Sequence, residues 1–163
     1  YENNVNNNWY TNYLAKWCID YTLEQIEKIE NEYASDFSRI TKKVKVSKKE
    51  LALWKAVADN MYFPYSEEHQ VYLQQDGFLD KELITVEDLP KTQRPINQKW
   101  SWDRILRSPY IKQADVLQGF YFFEDQFSTE VLERHFNFYE PFTLSAGKTT
   151  RFSVETHSPL TSQ

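Results

Sequence analysis

Trp100, Trp102, Asp103, Arg104, Arg107, Lys112, Gln113 and Asp115 fall within sixteen residues of the segment WSWDRILRSPYIKQADVL (Trp100–Leu117). A core helix needs no such density of charge and amide among large aromatics. The N-terminal run YENNVNNNWYTN (Tyr1–Asn12) has the same character, with six Asn in twelve residues and aromatics on both sides. Aromatic rings stack on the apolar face of a pyranose, and amides donate to and accept from its hydroxyls. Both segments read as candidate walls of a carbohydrate site. Simpler readings stand beside this one. Asn favours turns and helix caps, so the Asn run also fits a turn and cap cluster. Asp103 and Arg104 read first as an ion pair fixing a loop-to-helix junction. Trp100 and Trp102 are open between core packing and a sugar subsite.

Helices must position these residues. Tyr10, Tyr13, Leu14, Trp17, Cys18 and Tyr21 recur at helical spacing, and Ile26, Ile29 and Tyr33 continue it, in one helix or in two with a break near Thr22. Tyr10 therefore reads as a packing residue and Cys18 as a small core residue. Thr41–Val46 reads as a basic, exposed connection. Ser47-Lys48-Lys49-Glu50 matches a capping box and opens a helix whose apolar face is Leu51, Trp54, Val57, Ala58 and Met61, ended near Pro64. From Phe63 to Lys99 the helical signal fades. Val71–Gln75 alternates weakly as a short extended segment, and Pro90 and Pro95 punctuate a long loop. Lys112–Phe123 is apolar on most sides, the pattern of a helix buried in something large. Glu130–Phe138 is a last helix, stopped by Pro141. Four to six helices and little strand make the chain all-α. His69 reads as a surface residue and His135 as a helix residue. Neither has a second ligand at metal spacing, so no metal site is expected.

Composition narrows the function classes. The chain has 163 residues, which implies one domain, and 17% of them are aromatic with only 3 Gly and 6 Pro, which excludes wholesale disorder. Net charge is −5 and the pI is near 5.3, so no nucleic-acid partner and no anionic membrane surface is expected. No apolar run approaches a membrane span, and no signal-peptide pattern opens the sequence. A lone Cys18 fits a reducing cytoplasm, the expected location. A chain that starts at Tyr in mid-motif is expected to be a piece of a longer one.

Five segments in order carry a resemblance: YENNVNNNWYTN, QQDG with Phe78, RPIN (Arg94–Asn97), WSWDRILRSPYIKQADVLQ (Trp100–Gln118) and FNFYEP (Phe136–Pro141). Together they resemble the catalytic domain of the glycoside hydrolase family 65 phosphorylases, over about residues 1–143. The resemblance implies an all-α fold, a partial (α/α)6 barrel. The implied reaction is phosphorolysis of maltose to β-glucose 1-phosphate and glucose with inversion. The partners are then a disaccharide and phosphate. No cofactor is implied beyond inorganic phosphate as co-substrate, and the parent enzyme would be a homodimer.

An inverting hydrolase needs a carboxylic acid for the leaving oxygen and a carboxylate base for water. A phosphorylase replaces water with an anionic nucleophile, so the base gives way to a cationic phosphate site and one general acid remains. The family's acid is the Glu of a Gly-Pro-(Asp/Asn)-Glu-Tyr motif. Its Tyr corresponds to Tyr1, so the acid is expected immediately before Tyr1. Lys112 and Gln113 correspond to the family's phosphate-contacting pair, an ammonium point charge and a directed amide donor. Outside that context Lys112 would read as a solvated lysine. The family's Ser-Ser pair should follow FYEP, but the sequence after Thr143 reads LSAGKTTRFSVETHSPLTSQ. Residues 144–163 are therefore expected to form a divergent, unstructured tail, as a frameshift or truncated reading frame would produce. The isolated chain is expected to be inactive. Relatives acting on kojibiose, nigerose or trehalose are the alternative within the family. A non-catalytic carbohydrate-binding helical module is the alternative outside it.

Overall fold

A computed structural model of the chain describes residues 5–110 and 114–142. It contains helices α1 (Trp9–Glu32), α2 (Ala34–Val44), α3 (Lys48–Asp59), α4 (Ile96–Lys99), α5 (Trp102–Leu106), α6 (Asp115–Phe122) and α7 (Thr129–Tyr139). One two-stranded antiparallel hairpin, β1 (Tyr65–Ser66) with β2 (Val71–Tyr72), pairs Tyr65 with Tyr72 and Ser66 with Val71. Short 3-10 turns occupy Phe78–Asp80, Lys91–Gln93, Glu124–Gln126 and Glu140–Phe142. The fold class is all-α, as the helical periodicity predicts. The chain divides into two compact units, Thr11–Tyr62 and the remainder, which joins Tyr1–Tyr10 to Phe63–Gln163.

The Thr11–Tyr62 unit is three helical stretches. The break allowed near Thr22 does not occur. Thr22 Oγ1 donates to the Cys18 carbonyl at 2.7 Å and stays compatible with the helix, which ends at Glu32 instead. The connection expected at Thr41–Val46 is helical as far as Val44. Thr41 Oγ1 donates back to the Phe37 carbonyl, Lys42 and Lys43 sit in the last turn where the helix dipole favours cations, and Lys45 closes the helix with φ 58°. Ser47 caps α3 as its sequence predicts, accepting the Glu50 N–H at 3.2 Å. The apolar stripes are less covered than their spacing implies. Ala58 alone is buried among the residues of this unit, and Leu14, Trp17, Tyr21, Leu53 and Val57 are exposed. Cys18, read as a core residue, is exposed too, next to the exposed Trp17.

The remainder holds the core. Trp9 is 0% exposed, with Tyr72, Phe120, Phe127 and Phe63 ring centroids 5.1–6.3 Å away. Aromatic pairs of this kind are worth about 0.5–1.5 kcal/mol each beyond their buried area. Phe78, Tyr139 and Phe142 extend the cluster. α6 starts at Asp115 and buries one face, Val116, Gly119 and Phe120. Tyr121 and Phe122 are exposed, where a helix apolar on most sides was expected to be covered. α7 matches its prediction closely and is capped by Ser128, which accepts the Val131 N–H. The long segment from Phe63 to Lys99 is ordered by the hairpin, by 3-10 turns and by a second core of Val86, Leu89, Ile96 and Tyr110, against which Trp100 and Ile105 pack.

Candidate functional site

The described part of the Asn run, from residue 5 on, is tied down by hydrogen bonds. Asn6 accepts the Asp76 N–H through its carbonyl at 3.1 Å. Asn7 takes φ 52°, a left-handed conformation that Asn tolerates, and its Nδ2 donates to Asp76 Oδ2 at 2.6 Å. Asn8 Nδ2 donates to Asp115 Oδ2 at 3.2 Å, and the Trp9 N–H donates to the Gln74 carbonyl at 2.9 Å. Asn12, in the other unit, donates to the Tyr62 carbonyl at 2.8 Å. These three amides therefore bond protein atoms, as the turn and cap reading requires. Trp9 is core and offers no ring face to a sugar.

This corner meets α6 at two points one turn apart. Asp115 in the first turn takes the Asn8 amide. Gly119 lies against the Trp9 indole so closely that a Cβ there would stand 2.5 Å from Trp9 Cζ3 and 3.1 Å from Tyr10 Cδ2. Residues four apart share a helix face. The N-terminal segment is thus fitted along one side of α6.

A cleft of about 560 Å³ opens beside the second core, lined by Glu82, Gln93, Trp100, Arg104, Arg107 and Tyr110 among others. Its organising acceptor is Gln93. Gln93 Oε1 receives Trp100 Nε1–H at 3.1 Å and Arg104 Nη2 at 3.0 Å. The Arg104 guanidinium lies 3.7 Å from the Trp100 ring centroid, a cation–π contact. One face of Trp100 is thereby covered. Trp102, by contrast, is 66% exposed at the start of α5, and so it is not core. The ion pair expected between Asp103 and Arg104 is absent among the described contacts. Asp103 pairs instead with Arg107 at 2.7 Å, four residues on, where helical geometry brings the side chains together. Burial pushes the Tyr110 phenol up, and the Glu82 charge adds to that. The cleft combines two carboxylates, two guanidiniums and an aromatic plane, a surface able to bind a polar ligand through directed hydrogen bonds.

Four buried polar residues escape a reading by periodicity. His135 Nε2 accepts the Tyr72 N–H at 2.7 Å, and Nδ1 bonds the Val131 carbonyl at 2.7 Å. Tyr139, pushed up by burial, donates its hydroxyl to the Tyr72 carbonyl at 2.8 Å. Gln74 and Gln75 follow just past the end of β2, both buried. The signal that could have found His135 is its place in the apolar stripe of Leu132, Phe136 and Tyr139, where a polar side chain needs a partner.

Lys112 and Gln113 lie outside the described residues, as do Tyr1 and the segment 143–163. The described residues on either side, Tyr110 and Ala114, are both buried. Among the described residues no group of three potential metal ligands converges, and no helix is long and apolar enough to cross a membrane.

The comparisons with known proteins agree with one another. Residues 1–160 match the family model of the glycosyl hydrolase family 65 central catalytic domain. Maltose phosphorylase of Bacillus subtilis (strain 168) is 51% identical over 144 residues, covering 88% of this chain and 18% of the relative. Alpha,alpha-trehalose phosphorylase of Thermoanaerobacter brockii is 37% identical over 139 residues, 85% of this chain and 18% of the relative. A solved human-microbiome protein assigned as a kojibiose phosphorylase superposes with a TM-score of 0.71 at 36% identity, over 86% of this chain and 19% of that one. This chain therefore spans about a fifth of the length of the relatives it matches, and its helices form part of a helical barrel. The chain belongs to the glycosyl hydrolase family 65 central catalytic domain family.

Proposed function

We propose that this chain is part of the catalytic domain of an inverting disaccharide phosphorylase that converts maltose and phosphate to β-glucose 1-phosphate and glucose. The observation that carries the reading is 51% identity over 144 residues to a maltose phosphorylase, against 37% for the trehalose enzyme and 35% for a kojibiose phosphorylase of Halothermothrix orenii. In this reading Lys112 and Gln113 hold phosphate, and the general acid is the residue preceding Tyr1. The acid gives its proton to the glycosidic oxygen. Phosphate attacks the anomeric carbon from the opposite face, which inverts the α-linkage to a β-phosphate ester. Phosphate is the co-substrate, and the chemistry calls for no further cofactor.

The test is turnover of the longer, full-length enzyme on maltose, kojibiose, nigerose and trehalose, with and without phosphate, followed by anomeric proton NMR. Maltose should be consumed only with phosphate, and the first product should be the β-phosphate. Preference for another disaccharide would overturn the maltose assignment alone. Phosphate-independent cleavage, or an α-phosphate product, would overturn the mechanism.

A further inference from the structure

We propose that the cleft beside the second core is a saccharide site, in which Gln93 and Arg104 donate to sugar hydroxyls while Glu82 and Asp103 accept from them. It takes a neutral pyranose and rejects anions, and this holds on the geometry of the cleft alone, whichever disaccharide the enzyme cleaves. The cleft volume of about 560 Å³ lies within the span of small-molecule pockets, about 300–1,000 Å³. Its charges balance, since Glu82 and Asp103 share it with Arg104 and Arg107. An anion drawn by the guanidiniums would meet two carboxylates, and a cation drawn by the carboxylates would meet two guanidiniums. A neutral ligand meets neither repulsion.

What the cleft offers is hydrogen-bonding capacity of both signs. Arg107 Nε and Nη2 both donate to Asp103 Oδ1, at 3.1 and 2.7 Å, so among the described contacts Oδ2 stays available as an acceptor. Gln93 Oε1 takes Trp100 Nε1–H and Arg104 Nη2, which turns the Gln93 amide nitrogen into the group left to donate. Arg104 uses Nη2 on Gln93 and keeps Nε and Nη1 as donors. A hydroxyl donates and accepts at once, so neighbouring hydroxyls of a sugar need donors and acceptors side by side. Sulfate only accepts. The donors are also set in place before a ligand arrives. The Arg104 guanidinium lies 3.7 Å from the Trp100 ring centroid, and Trp100 packs against Tyr110 with centroids 5.5 Å apart. Donors held in this way lose less conformational freedom on binding. Leu89 and Pro109 add apolar wall for the C–H face of a pyranose.

The experiment titrates the full-length protein calorimetrically with glucose, maltose and sodium sulfate, wild type beside Arg104→Ala, Asp103→Ala and Gln93→Glu. Glutamate at 93 keeps an acceptor for Trp100 and Arg104 and removes the amide donor. Each variant should weaken sugar binding about tenfold, the scale of one hydrogen bond to a charged group, at an unchanged melting temperature. The KM for disaccharide then tells where the sugar comes from. A KM that rises with the loss of affinity makes the bound sugar part of the substrate. A KM that holds while the sugar isotherm weakens makes it a saccharide from elsewhere, and either result supports the site. Sugar affinity unchanged in all three variants overturns it, and so does a wild type that binds no sugar. Sulfate binding that Arg104→Ala abolishes also overturns it, because the cleft would then be an anion site. If the alanine variants do not fold, Gln93→Glu and Asp103→Asn carry the test, the asparagine turning the open acceptor into a donor, and unchanged sugar affinity in both overturns the proposal. Sugar binding through these residues in a protein without phosphate-dependent turnover upholds the saccharide site and removes the phosphorylase reading alone.

Discussion

His135 Nε2 accepts the backbone N–H of Tyr72 at 2.7 Å, which fixes the tautomer. The ε nitrogen must be bare, so Nδ1 carries the proton and donates it to the Val131 carbonyl. α7 and the hairpin are thus joined by a neutral imidazole, stacked on Tyr72 and edge-on to Phe120. Burial is the largest reason that its pKa falls to about 4.

Acid should weaken this joint. The unfolded chain binds a proton on His135 below about 6.5, whereas the folded chain does so only below about 4. Between those values the unfolded state holds more protons, so stability falls as pH falls and is fully present above 6.5. The contribution amounts to about 3 kcal/mol. Denaturant midpoints at pH 7 and pH 5 read the first part of it, about 2 kcal/mol. His135→Phe should be less stable at pH 7 by about 2 kcal/mol, because the Tyr72 N–H loses its acceptor, and should show a shallower pH dependence. Parallel pH slopes in the two proteins would remove His135 as the titrating group.

Gly119→Ala sets two effects of opposite sign against each other. Helix propensity favours alanine by about 1 kcal/mol in the middle of α6. The added methyl would stand 2.5 Å from a Trp9 ring that is fully buried and cannot swing away. Overpacking of this kind costs about 1–3 kcal/mol and should win. Thermal unfolding decides the matter, and a rise in melting temperature would mean that α6 stands further from Trp9.

Ser47→Ala should cost about 1 kcal/mol, since Ser47 Oγ is the acceptor for the Glu50 N–H at the start of α3. Ser47→Asp should restore most of it, because a carboxylate also accepts and suits the helix N-terminus. Amide exchange at Glu50 reads the loss locally. Equal protection in the wild type and Ser47→Ala would show that the cap contributes nothing.

The local devices were legible because they are written in adjacent residues. Ser47 and Glu50 announce their cap, and the stripe Leu132, His135, Phe136 and Tyr139 announces α7. Thr41–Val44 was misread as a connection since its Lys pair looks like exposed loop chemistry, while the dipole at a helix end welcomes the same charges. Asp103 was assigned to its sequence neighbour Arg104 although helical geometry gives it Arg107. Long-range pairings such as Asn8 with Asp115, Trp9 with Gly119 and Tyr72 with His135 leave no periodic trace. Burial of Leu14, Trp17, Tyr21 and Val57 was expected from spacing alone, yet these side chains are exposed. Periodicity tells which face is apolar and says nothing about what covers it.

Those uncovered faces lead to the last prediction, on activity. The 163-residue chain by itself should associate in solution, since large apolar side chains such as Trp17, Tyr21, Leu53 and Val57 are exposed, and exposed apolar surface favours association. It should not cleave maltose with phosphate, because it spans 18% of the maltose phosphorylase it matches. In the full-length protein, the proposed phosphate role of Lys112 predicts that Lys112→Ala raises the phosphate requirement by at least about tenfold and the disaccharide requirement far less. Steady-state kinetics with each substrate varied in turn gives both constants. Equal effects on the two would remove Lys112 from the phosphate site. Turnover by the isolated chain would show that the chemistry needs far less of the barrel than the length of its relatives implies.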